Sequence, residues 1–292
     1  MHMSLEAFLF RRNAGNSDKL RDSRIPLPDG VTECRNISYD QYGKWSQLDV
    51  YYPDGASGQL PTIVSIHGGG YVYGTKEIYR RYGMELARHG FAVVNFNYRL
   101  APKWKFPTPI YDTNTVMGWI CKNALRYHLD PSRIILVGDS AGAQLASQYA
   151  AIVTNPDYAA LFQLNVPGIT IRCLGLNCGM YDMTQRAASP RKGVQLDYLG
   201  KRLPDDDPRF RVMESITGSY PPAYITTACK DFLRPCAKPM YDFLTEKGID
   251  AAWKCYGTED NADVGHVFHV NIILPEAIAC NEDSISFFRK HL

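Results

Sequence analysis

The chain has 292 residues, 45% of them hydrophobic and 21% charged, an ordinary globular composition long enough to bury a sizeable core. Its 32 Lys and Arg face 30 acidic residues, a net charge of +2 with no block of five like charges, which excludes the electrostatic footprint of a nucleic-acid binder. No apolar run approaches the roughly 18 residues needed to cross a bilayer, and the cysteines (Cys34, Cys121, Cys173, Cys178, Cys229, Cys236, Cys255 and Cys280) show no metal-ligand spacing with each other or with histidine.

In chain order, the first feature is an apolar patch over residues 5–10. Glu6 interrupts it, and Arg11 and Arg12 follow rather than precede it, the reverse of a secretory signal, so it reads as an amphipathic helix. Without a signal, free cysteines acting as small buried hydrophobes in a reducing cytosol are the expectation; disulfides are the lesser reading. Residues 35–39 and 47–52 are strand-like about a Gly43 turn, an antiparallel hairpin for a sheet edge.

From residue 61 short β-branched runs alternate with longer amphipathic segments. Strands are expected at 62–66, 91–96, 134–137, 171–176, 223–227 and 252–256. Helices are expected at 77–89, with Ile78, Tyr82, Leu86 and Ala87 as the buried face, and at 107–127, 141–153, 235–247 and 276–290. Such alternation implies an α/β fold, one domain over residues 1–292, with a mostly parallel sheet flanked by helices. Residues 1–30 and 183–220 do not fit the alternation and are expected to form a small cap above the strand C-termini, where open α/β sheets bind ligands.

Gly138-Asp139-Ser140-Ala141-Gly142 stands directly after the 134–137 strand and opens the next helix, the strand–turn–helix context of a nucleophile elbow. The tight turn leaves no room for a Cβ at its glycines and holds the Ser140 hydroxyl at the positive end of a helix dipole. His67-Gly68-Gly69-Gly70 follows an earlier strand, where glycines let N–H groups point into a cavity. Gly69, Gly70 and Ala141 are the candidate oxyanion donors for acyl transfer, with Gly68 as an additional participant.

The general base is sought among seven histidines. His2 and His291 are terminal, His67 belongs to the glycine motif, and His89 and His128 sit at helix ends. His266, after Gly265 in the loop behind the last strand, suits the chain order Ser, Asp, His, and His269 competes with it. Asp231 follows the 223–227 strand and can hold a histidine tautomer, or else cap the next helix. Glu259, Asp260 and Asp263 are nearby and read as solvated charges, and Asp139 as structural.

These residues resemble the hormone-sensitive-lipase-like, or acetyl-esterase-like, branch of the α/β-hydrolases. The likeness runs through His67 to Gly70, Tyr71-Val72-Tyr73-Gly74, Tyr98-Arg99-Leu100-Ala101-Pro102, Gly138 to Gly142, Asp231 with Leu233, and His266 with Phe268, in the family's order. It implies a serine esterase of small acyl esters with a Ser140, Asp231, His266 triad and no cofactor; the cysteine and histidine spacing leads to the expectation of no metal. Departures are Arg234-Pro235 where the family often has an acidic residue, Val267 where it often has Gly, and a long acidic loop at 257–265.

A small-molecule ester is the expected partner, with no nucleic acid and no membrane; a homodimer is allowed, and the cytoplasm is the expected location. An amidase or peptidase with the same triad, or a non-catalytic binding protein on this scaffold, are the alternatives. Acyl chains of roughly two to six carbons are expected, because Tyr71 and Tyr73 are read as projecting toward the acyl pocket and each CH₂ contributes only while enclosed. A cap carrying Arg191, Lys192, Lys201, Arg202, Asp205, Asp206 and Asp207 does not read as an apolar lid for a lipid surface.

Overall fold

The computed structural model describes residues 3–183, 192–201, 203, 204 and 206–292. Its sheet contains β1 (Val31–Ser38), β2 (Gln47–Pro53), β3 (Leu60–Ile66), β4 (Ala92–Phe96), β5 (Leu129–Asp139), β6 (Ile171–Asn177), β7 (Ala223–Ala228) and β8 (Ala251–Tyr256). The spatial order is β1-β2-β4-β3-β5-β6-β7-β8. β1 pairs antiparallel with β2 and β2 with β4, whereas every pairing from β4 through β8 is parallel. The helices are α1 (Leu5–Arg24), α2 (Arg80–Arg88), α3 (Thr108–Asn123), α4 (Ala141–Thr154), α5 (Pro156–Ala160), α6 (Gly193–Leu199), α7 (Arg234–Glu246) and α8 (Pro275–Lys290).

Strand periodicity divides the core between two faces. Ile134 and Leu136 of β5 join a cluster with Ile110, Val116, Leu145 and Leu244 from α3, α4 and α7, while Ile135 and Val137 join another with Met84, Leu86 and Phe288 from α2 and α8. Both sheet faces are thus covered, which is why the strands read as continuous apolar runs. Parallel strands also bring the turns after β3, β5, β7 and β8 to one end of the sheet. Among the described residues no helix is long and apolar enough to cross a membrane. All eight cysteines are free, and Cys173, Cys178 and Cys280 are buried as small hydrophobes.

The structure departs from the sequence reading in identifiable ways. The edge strand begins at Val31 because a bulge between Cys34 and Ile37 interrupts its period of two, with Asn36 left-handed at φ 57°. The segment read as one helix from 77 opens as a 3₁₀ turn, Lys76–Tyr79, before α2, and the helix after Pro107 stops at Asn123.

The N-terminal helix runs on to Arg24, yet its apolar patch faces outward: Leu5, Phe8, Leu9 and Phe10 are exposed and Ala7 is buried. Polar anchors hold α1 instead. The Ser4 N–H and hydroxyl donate to Asp197 Oδ2, Arg11 donates to the carbonyls of Val72 and Ala101, and Arg21 donates to that of Ile78. α1 and α6 lie across the strand C-termini as the expected cap, and the stretch 208–220 reaches the cavity at that end through Met213 while rooting its apolar side chains in the core. Phe210, Val212, Ile216 and Tyr220 are nearly fully buried, with the Phe210 ring 5.2 Å from Phe106 and the Tyr220 hydroxyl donating to Ser147, whereas Arg211, Glu214 and Ser219 are exposed. Of the cap charges, Arg191, Arg202 and Asp205 lie outside the described residues.

A buried ion pair ties the hairpin to the 3₁₀ turn before α2. Lys76 Nζ is 2.8 Å from Asp49 Oδ1, both side chains are wholly buried, and Asp49 also accepts from the Asn36 N–H and the Tyr51 hydroxyl. Removing Lys76 leaves the buried Asp49 carboxylate only the partly exposed Arg35, 3.8 Å away, to offset it. Lys76→Ala is therefore expected to destabilise the fold by about 3–5 kcal/mol, read from the urea midpoint. A change under about 1 kcal/mol would mean that water or another cation reaches Asp49.

Candidate active site

Ser140 sits between β5 and α4 with φ 51° and ψ −114°, a conformation that non-glycine residues rarely adopt. The turn is held by packing. A Cβ on Gly142 would lie 1.9 Å from the Ile66 carbonyl oxygen, and one on Gly138 would lie 2.3 Å from that of Gly142. Neither backbone oxygen can yield, so both positions require glycine. The Ser140 N–H donates to the Asn177 carbonyl at 2.9 Å, pinning the elbow to β6.

His266 reaches this serine from the loop after β8. Its Nε2 is 3.0 Å from Ser140 Oγ and its Nδ1 is 2.7 Å from Asp231 Oδ1. A carboxylate can only accept, so Nδ1 carries the proton and Nε2 is left to accept from the serine hydroxyl. Asp231, just beyond β7, also accepts from the Leu233 N–H at 2.9 Å and the Thr227 hydroxyl at 3.0 Å. Burial works to raise the Asp231 carboxyl, but the hydrogen bonds and the His266 charge hold it below the usual carboxylate range, so it stays charged.

Of the two competing histidines, the structure brings only His266 to the serine. His269 is buried edge-on to Tyr82, its ring centroid 5.2 Å away, and burial foremost pushes its imidazole down to about 3. Glu259, Asp260 and Asp263 are exposed, and Glu259 pairs with Arg234.

The glycine motif separates into donors and a floor. The Gly68 N–H donates to the Tyr79 hydroxyl at 3.1 Å and is therefore engaged, which removes Gly68 from the oxyanion donors although it still lines the cavity. The Gly69 carbonyl accepts from the N–H groups of Val72 and Tyr73. Among the described residues the Gly69 and Gly70 N–H groups have no acceptor. Ala141 opens α4, so its N–H has no preceding turn to bond. Below them His67 stacks on Tyr98 with centroids 4.1 Å apart, and burial pushes its imidazole down to about 4.

The cavity over Ser140 has a volume of about 1080 Å³. α1 contributes Glu6, Phe10, Ser17, Asp18 and Arg21 to its wall, and the start of α7 contributes Pro235, Cys236, Pro239 and Met240. Tyr71 and Tyr73 do line it, but their hydroxyls do not point free into an acyl pocket. Tyr71 stacks on Tyr198 at 3.8 Å and donates to Gln144, while Tyr73 meets Phe10 edge-on and donates to Asp18 at 2.7 Å, fastening the cap. The sequence reading placed residues 1–30 over the pocket without naming their lining side chains and missed Tyr79 and Thr227; only Thr227, closing a strand four residues before Asp231, carried a local signal.

Among the described residues, one group could offer three metal ligands: Cys178, Asp231 and His266, their atoms within 4.8 Å of one another. Burial foremost pushes the Cys178 thiol well up, and His266 Nδ1 already donates to Asp231, so two of the three ligands are protonated at the atoms they would offer.

Asp139, inside the elbow, accepts from the Tyr79 hydroxyl at 2.7 Å. Burial raises its carboxyl to about 7 against that hydrogen bond, the His266 charge and the neighbouring Gly68 N–H. A folded value above the unfolded one of about 3.9 contributes stability that is complete below about pH 4 and is lost as pH rises through about 7. Asp139→Asn keeps an acceptor for Tyr79 and cannot ionise. Between about pH 5 and 8 it is expected to gain on the wild type by on the order of 1–3 kcal/mol, read from urea unfolding at both pH values. Parallel pH dependences would show that Asp139 is already ionised throughout.

A family model described as BD-FAE matches residues 48–233. Carboxylesterase NlhH of Mycobacterium tuberculosis is 30% identical over 246 residues, covering 79% of this chain and 76% of that protein. Ethyl acetate hydrolase of Pseudomonas putida is 32% identical over 150 residues, covering 50% of this chain and 46% of that protein. The crystal structure of Esterase B from Lactobacillus rhamnosis superposes with a TM-score of 0.81 at 22% identity, covering 97% of this chain and 93% of that one, a likeness of fold.

Proposed function

The chain belongs to the BD-FAE family and is an α/β-hydrolase that cleaves carboxylic esters; from that premise we propose that Ser140 is its nucleophile, His266 its general base and Asp231 the acid that orients the base, acting on esters of short acyl chains. The observation that carries this reading is the hydrogen-bonded series from Ser140 Oγ to His266 at 3.0 Å and on to Asp231 at 2.7 Å, opening into a cavity.

Ser140 Oγ attacks the ester carbonyl carbon as His266 Nε2 takes its proton. The carbonyl oxygen becomes an anion, which the N–H groups of Gly69, Gly70 and Ala141 receive. When the tetrahedral intermediate collapses, His266 gives the proton to the departing alcohol oxygen, leaving an acyl group on Ser140. Water, deprotonated by His266, then attacks the acyl carbon through a second such intermediate, and the proton returns to Ser140 as the acid leaves. Asp231 stays ionised and stabilises the transient imidazolium. The short-chain reading is supported by the Pseudomonas putida relative named for ethyl acetate and by polar groups, Asp18 and Arg21, in the cavity wall.

Ser140→Ala is expected to lower turnover by about 10⁴- to 10⁶-fold with the fold intact, and to abolish labelling by a fluorophosphonate; a tenth of wild-type activity remaining would refute the assignment. His266→Ala should be nearly inactive and His269→Ala should keep its hydrolysis, both measured on nitrophenyl acetate; the reverse pattern would exchange the two histidines. For nitrophenyl esters from acetate to palmitate, kcat/KM is expected to peak at roughly two to six carbons, with no jump on an emulsified triglyceride. The exposed Leu5, Phe8 and Leu9 of α1 make the emulsion the sharper measurement. An optimum at ten or more carbons would make the enzyme a lipase.

A further inference from the structure

Phe232 has no evident structural purpose. It is 70% exposed, unlike the apolar residues of the core, and an exposed aromatic ring contributes little to folding. Yet its ring centroid lies 4.3 Å from that of His266, inclined at 45°, and the residue lines the cavity over Ser140. The backbone around it is fixed. The Asp231 N–H donates to the Ala228 carbonyl, the Arg234 N–H to the Asp231 carbonyl, and the Leu233 N–H to Asp231 Oδ1. The turn that orients the carboxylate therefore also presents the phenyl ring, on the side of the imidazole.

The chemistry says what passes along that side. His266 Nε2 delivers its proton to the alcohol oxygen, so in the transition state that oxygen is within hydrogen-bond reach of the imidazole. The first carbons of the alcohol must then lie beside the ring that flanks it. A flat apolar alcohol can cover the Phe232 face, removing both surfaces from water and gaining the edge or offset contact that aromatic pairs favour. A methyl or ethyl group is too short to cover it.

Resting on the triad reading above, we propose that Phe232 is the specificity-determining wall of the alcohol subsite and selects esters of aryl-bearing alcohols. The group acts by touching the leaving alcohol and leaves the proton transfer to His266.

The test compares benzyl acetate with methyl acetate, whose acyl halves are identical, in the wild type, Phe232→Ala, Phe232→Leu and Phe232→Trp. The ratio of kcat/KM for benzyl over methyl acetate is expected to fall about tenfold in Phe232→Ala, to fall less in Phe232→Leu and to be kept in Phe232→Trp, the loss entering through KM. The acid limb of the pH–rate profile should not move. A ratio unchanged in Phe232→Ala overturns the proposal. So does an equal fall for both esters with a displaced pH profile, which would make Phe232 a positioning residue for His266. If the wild type hydrolyses neither ester and takes no fluorophosphonate label, the triad reading itself has failed, a result distinct from either. Urea unfolding of the three variants should stay close to the wild type, and a large loss in Phe232→Ala would assign the ring to folding instead.

Discussion

The structure depends on one close approach: the backbone of α4 at Gly142 packed against the end of β3 at Ile66. Only a glycine tolerates it, and it forces the chain to leave β5 in a turn so sharp that Ser140 takes a strained left-handed φ. The strain is held because both sides of the turn are anchored, by the Asn177 carbonyl on β6 and by the buried body of α4. The same approach brings the glycine turn after β3 beside the helix N-terminus, so the N–H groups proposed to receive the oxyanion come from elements that a single backbone contact locks together.

Burial then sorts the titratable groups. Asp231 keeps its charge because Leu233, Thr227 and His266 satisfy it with hydrogen bonds. His67 and His269 lose theirs because desolvation outweighs what opposes it, at His67 the 2.8 Å contact of Nδ1 with the Gly68 carbonyl, and each is left a neutral packing element. Asp139 sits between these cases: the Tyr79 hydroxyl offsets part of its burial, and its carboxyl comes to rest near neutrality. Four buried groups thus end as one ionised carboxylate, two neutral imidazoles and one carboxyl poised close to neutrality.

The cap is assembled on a different principle. α1 carries apolar side chains outward and is fastened through Ser4 to Asp197 of α6 and through Arg11, Asp18 and Arg21 to carbonyls and a tyrosine of the body below. Polar anchors of this kind set orientation without requiring a packed apolar interface. They leave α1 lining the cavity with Glu6, Ser17, Asp18 and Arg21 beside Phe10, while the start of α7 lines it with Pro235, Cys236, Pro239 and Met240. A cavity with two chemically unlike walls around one serine gives the acyl and alcohol halves of an ester different surroundings.

The sequence by itself determined the alternation of strands and helices, the elbow around Ser140 and the glycine turn, because each rests on local periodicity or on backbone room that only glycine supplies. From chain order it also singled out Asp231 and His266, in the two loops that the structure brings to Ser140. Only the tertiary structure decided between His266 and His269, three residues apart, since the choice depends on which ring a left-handed Val267 turns toward β5 and which it turns into the core. It likewise decided that the Gly68 N–H is engaged by Tyr79, that Tyr71 and Tyr73 brace the cap, and that residues 208–220 root their apolar side chains in the core. Those outcomes depend on partners dozens of residues away, and nothing in a local pattern records which side chains the packed sheet will bring within hydrogen-bond reach.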